Sequence, residues 1–155
     1  MKPNEIRDLI QSPLWIASLL EYFLSGVQRV KEEGLPFELV FLAIPILLDE
    51  DSIEHLSKGN INSNISKMMK NIVLQSSYFK AKWNIEYYKP VTKKSIIVLA
   101  SMKNISIDNN IRLLNPIKNI SEPVEYKKTY YKAAYNLGAM IAKEESLDLI
   151  IKFGV

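Results

Sequence analysis

The chain has 155 residues, with 20 Lys and Arg against 17 Asp and Glu, one histidine and no cysteine. Hydrophobic residues make up 48% and charged residues 24%, a balance that excludes a disordered tail and fits one compact domain over 1–155. The missing thiols exclude disulfides, thiolate zinc sites and cysteine nucleophiles.

Acidic residues and Asn4 interrupt the first eight residues, so no export signal is expected. The longest greasy stretch, Leu35 to Leu48, is fourteen residues broken by Pro36, Glu38 and Pro45, short of the ~20 a membrane span needs. The expectation is a cytoplasmic protein without a membrane segment. Ser12-Pro13 opens the first helix, because serine caps well and proline fits the first turn. Trp15, Leu19, Tyr22, Phe23, Val27 and Val30 recur at spacings of three and four, and Ile16, Leu20 and Leu24 widen the stripe. Its first half should therefore be buried on most sides. Leu35-Pro36 is read as the start of a second helix, which Pro45 should kink or break. Asp49-Glu50-Asp51-Ser52 suits the N-terminal end of a short helix, Ile53 to Lys58, stopped at Gly59.

After a polar connector, Asn60 to Asn64, one or two helices are expected from Ile65 to about Trp83. Pro90 should end them, and Thr92 should cap a new helix running to about Lys103. Two alternating runs around Asp108-Asn109-Asn110 predict a β-hairpin. A loop spans Asn115 to Pro123, and a long helix follows from Val124 to Lys143. Tyr130, Ala134, Leu137, Gly138 and Ile141 form its stripe, with Lys127, Lys128, Lys132 and Asn136 largely off it. Ala134, Gly138 and Ala142, four apart, would let another helix come close. Ser146 is expected to cap a last helix, Leu147 to Lys152, ending at Gly154. The expected class is α+β, mainly α-helical. Its parts are a helical N-terminal region (1–59), a winged-helix-like region of helix plus hairpin (63–118), and C-terminal helices (124–153) packing back.

Charge is uneven. Residues 1–66 hold five basic and ten acidic side chains, 67–103 hold eight lysines and one acid, and 104–155 hold seven basic and six acidic. The basic middle also carries Tyr78, Phe79, Trp83, Tyr87 and Tyr88. Such a mixture suits an acidic protein surface, a nucleic-acid strand, or a plain solvated lysine face. Lys80, Lys82, Trp83, Tyr87, Lys89, Lys93 and Lys94 are the candidate contacts for a partner or DNA.

Catalytic machinery is not legible. His55 stands without HxH or HExxH spacing, and the acids at 49–54 are explained by a helix N-terminus. Gly-rich phosphate loops and a GxSxG elbow are missing. Ser57-Lys58 and Ser66-Lys67 are adjacent rather than three apart. The chain is read as a non-enzyme with no cofactor and no metal.

Two blocks resemble a known family. One is Ser12-Pro13-Leu14-Trp15-Ile16, then Gly34-Leu35-Pro36 and Phe41-Leu42-Ala43-Ile44-Pro45-Ile46-Leu47-Leu48. The other is Leu137-Gly138-Ala139-Met140-Ile141-Ala142, followed by Ser146 and Phe153-Gly154-Val155. They resemble the "FLxLPIxLH" segment and the "LGxWFA…S…LGV" ending of middle components of bacterial three-component ABC ATPase (ABC-3C) systems. Asp49 stands where that family often has His, and Met140-Ile141 where it has an aromatic pair. The resemblance implies an adaptor between an SMC-like ABC ATPase and an effector, a nuclease, in Lamassu-type anti-phage defence, with DNA met through the complex. The alternative is a winged-helix protein that binds DNA itself through 67–103.

Overall fold

The computed structural model describes residues 12–59, 63–68 and 70–155. Helix α1 is Pro13–Val30, with Pro13 in its first turn. Its buried residues include Trp15, Ile16, Leu19, Leu20, Phe23, Leu24 and Val27, as the sequence pattern predicts. A turn at Gly34 (φ 89°) reverses the chain. A Cβ there would collide with the carbonyl of Ile111 as well as strain the backbone, so only glycine fits.

Leu35–Pro36 does not begin a helix. It is a two-residue strand, β1. Proline is tolerated because β1 lies at a sheet edge, where a missing N–H costs nothing in the ladder. Phe37–Leu42 follows as a 3-10 segment and Ala43–Leu47 as helix α2. The expected break at Pro45 is displaced upstream to this 3-10 junction. Pro45 then sits in the first turn of α2, where its N–H is not needed. The stretch is almost wholly buried.

Helix α3, Glu50–Ser57, starts at Asp49, whose carboxylate accepts a hydrogen bond from the Asp51 N–H at 3.4 Å. The expected connector lies partly outside the described residues. Ile65–Met68 forms the short helix α4, and Ile72–Ser101 forms α5, thirty residues long with Pro90 inside it. The sequence rule that Pro90 ends a helix and Thr92 caps the next is overturned. Thr92 is buried mid-helix, and its hydroxyl donates to the Tyr88 carbonyl at 2.8 Å. Ser95, one turn on, donates to the carbonyls of Val91 (2.8 Å) and Pro13 (2.9 Å), tying α5 to the start of α1.

The hairpin forms where expected, as β2 (Ile105–Ile107) and β3 (Asn110–Leu113). The Asp108 carboxylate accepts from the Asn110 N–H at 2.7 Å and fixes the turn. The sheet is antiparallel in the order β1-β3-β2, with Leu35 opposite Ile111 and Ile105 opposite Leu113. The Gln28 side-chain amide locks α1 to β3, donating to the Leu113 carbonyl (3.0 Å) and accepting from its N–H (2.7 Å).

Helix α6 is Glu125–Lys143 and α7 is Ser146–Phe153. Glu145 rather than Ser146 holds the cap position of α7, and Gly154 ends it in the left-handed conformation (φ 70°). The most extensive packing in the molecule is α1 on α6. A Cβ at Gly138 would meet the carbonyl of Phe23, and one at Gly26 the carbonyl of Tyr135, so the two backbones touch. Tyr131 stacks on Tyr22 (4.2 Å) and packs with Trp15 (5.6 Å). Asn136 is not off the buried face. It is 8% exposed, and its amide donates to the carbonyls of Leu56 (2.8 Å) and Gly59 (3.1 Å), because α3 covers a second side of α6. The protein is α+β and mainly helical, as the sequence indicates.

Candidate partner-docking surface

Helix α5 positions every candidate contact residue. Its inward side carries Leu74, Tyr78, Ala81, Ile85, Thr92, Ser95, Ile96 and Leu99, which fall on one helical face and are buried. Burial pushes the Tyr78 phenol far above its ordinary range. A second stripe runs down the opposite side: Ile72, Phe79, Trp83, Tyr87, Pro90, Lys94 and Ile97, again three, four or seven apart. It reaches roughly 37 Å at the rise of an α-helix. These side chains face solvent, with Trp83 84% exposed, Tyr87 64% and Phe79 58%. Two apolar stripes on one helix explain why the sequence pattern looks loose here, since each blurs the other's period.

An exposed tryptophan in line with two further aromatics is a contiguous apolar surface, the kind that marks an interface. Tyr87 is held edge-on against Tyr88, ring centroids 4.9 Å apart, so the stripe is partly fixed in place. Between Pro13, Tyr87, Tyr88, Pro90, Val91 and Lys94 lies a shallow depression of about 330 Å³.

The lysines divide into two groups. Lys80 pairs with Asp51 across to α3 at 3.9 Å. Lys89 bonds Glu86 at 2.7 Å and lies 5.7 Å from the centre of the Phe41 ring, which occupies it structurally. Lys82, Lys93 and Lys94 are exposed, and among the described residues none is in an ion pair. Trp83 and Tyr87 therefore share the outward stripe with Lys94. Lys82 and Lys93 flank it, while Lys80 and Lys89 lie toward the body of the protein. Phe79 and Ile97 belong to the same surface and were not among the sequence candidates. Their four- and three-residue spacing from Trp83 and Lys94 was the available signal.

No group of three or more His, Asp or Glu side chains among the described residues is arranged to hold a metal ion. No helix among them is long and apolar enough to cross a membrane. The surface can bind by apolar contact and by attraction to acidic groups. The family model described as ABC-three component (ABC-3C) system Middle Component 3 matches residues 2–155. No curated protein and no solved structure matches the chain.

Proposed function

Because the chain belongs to the ABC-three component system middle component 3 family, we propose that it is a non-catalytic adaptor. In this reading it joins an SMC-like ABC ATPase to a nuclease effector in a cytoplasmic, Lamassu-type anti-phage complex. It acts as one domain, with the helix-plus-hairpin region 63–118 serving as a winged-helix-like docking module. DNA is met through the complex. The family name itself implies a system with other subunits.

The outward stripe of α5 carries this reading. Three aromatics in register on a well-packed helix stay more than half exposed, and burying them on a partner would release that apolar surface from water. Lys82, Lys93 and Lys94 beside them favour a partner with acidic residues around an apolar centre. An adaptor of this kind signals by docking differently to different states of its ATPase, since a partner shifts an equilibrium only through differential affinity.

The test is co-purification of the three components of the system with wild-type chain and with Trp83→Ala/Tyr87→Ala. Wild-type chain should bring down its partners. The double variant should keep the melting temperature of the parent and bind at least about tenfold more weakly. A chain that elutes alone would defeat the adaptor reading. Tight, salt-sensitive binding of duplex DNA by the isolated chain, lost on Lys93→Glu/Lys94→Glu, would favour the winged-helix DNA-binding reading instead.

A further inference from the structure

A connector needs a second surface, and a second, roomier cleft shares no residue with the α5 stripe. It measures about 740 Å³ and lies between the last turn of α1, the end of β3, the loop after it, and α6. We propose that this cleft binds an acidic, apolar-bearing peptide segment of a partner protein, a reading that rests on the adaptor role.

Arginine usage is the first observation. The chain has three arginines against seventeen lysines, and Arg29 and Arg112 both line this cleft. A guanidinium offers a planar fork of donors that matches a carboxylate in a way an ammonium cannot. The last-turn position of Arg29 on α1 accounts for a cation there by itself, but that argument does not extend to Arg112 on a strand. Lys118 adds a third cation, and Glu32 is the only carboxylate of the lining. All three cations are exposed, and among the described residues none is in an ion pair.

The floor is preorganised. Gln28 is committed at both ends to the Leu113 backbone, and the Ser25 hydroxyl donates to the Glu21 carbonyl (2.7 Å) while accepting from the Ile117 N–H (2.8 Å). These polar groups hold the walls and leave the arginines for an incoming ligand. Val30 and Leu114 are 40% and 49% exposed at the same cleft, so it also offers apolar contact. A peptide fits this combination better than a phosphate. The last turn of α1 presents carbonyl oxygens, which accept peptide N–H groups and disfavour a phosphate dianion.

The probe is a short fluorescein-labelled synthetic peptide of Glu, Asp and Leu, followed by fluorescence anisotropy on the full chain. It should bind wild-type protein, more weakly as salt rises. Arg29→Glu/Arg112→Glu should weaken binding at least about tenfold without changing the circular-dichroism melt. Trp83→Ala/Tyr87→Ala should leave peptide binding intact, which separates this cleft from the α5 surface. Absent binding, binding indifferent to both arginines, or ATP or an oligonucleotide bound through them in place of the peptide, overturns the proposal. The assay needs no partner subunit, so its failure is distinct from a failure of co-purification.

Discussion

Gly138 lies against Phe23 and Gly26 against Tyr135 where α1 and α6 touch, each with a carbonyl of the opposite helix where a Cβ would go. Neither carbonyl is the mobile end of a side chain, so relief requires helix α1 to move away from α6. Gly138→Ala should therefore cost about 3 kcal/mol or more, read as a lower midpoint in urea. A midpoint unchanged from wild type would show that the helices do not approach this closely. The Ala134, Gly138, Ala142 spacing made this contact legible in the sequence. Asn136 was not legible, because a polar residue between lysine-rich positions reads as solvated. Only the presence of α3 on a second side of α6 buries it, and the carbonyls of Leu56 and Gly59 that it holds lie far off in the chain. Arg29 and Arg112 escaped notice for the same reason: their neighbours Gln28 and Leu113 are 85 positions apart.

Among the elements, α5 departs furthest from local rules. Pro90 removes one backbone hydrogen bond and crowds the carbonyl of Glu86, which in an isolated peptide would end the helix. Here Tyr88 and Val91 pack on the core just beside it, and the hydroxyls of Thr92 and Ser95 bond back to carbonyls of the same turns. Tertiary packing overrides the proline. Pro90→Ala should restore the missing bond and raise stability by about 1 kcal/mol, the gain being trimmed because alanine frees the unfolded chain. Chemical denaturation measures it; a large loss would mean that the proline ring itself is required for packing. Strand β1 was equally hidden. Two residues ahead of a greasy run give no alternation, and their strand character comes from the Gly34 turn and from pairing with β3. The hairpin was legible because its turn chemistry and both strands are contiguous.

Across the whole molecule, five tyrosines share one electrostatic condition. Burial raises the phenols of Tyr22, Tyr78, Tyr88, Tyr130 and Tyr131 above the ordinary value of 10.0, with nearby carboxylates adding to it for Tyr22, Tyr88, Tyr130 and Tyr131. Unfolded chain would release these protons near pH 10 while folded chain still holds them. Stability is thus intact below pH 10 and declines as pH rises through the higher folded values. Unfolding free energy should fall steeply in that window, with ionisation of these five rings, followed ring by ring by NMR, and loss of helical circular dichroism appearing together. Ionisation of the Tyr78 ring while the helices persist would contradict its burial. The placement of the five follows from the layering of α1, α5 and α6, which no single stretch of sequence reports. The pairing of α1 with α6 has a consequence for synthesis. Everything between Val30 and Glu125 is made after α1 and before its main cover. Over that stretch of translation the nascent chain carries the buried face of α1 without α6, so α1 can reach its final packing only after α6 has emerged.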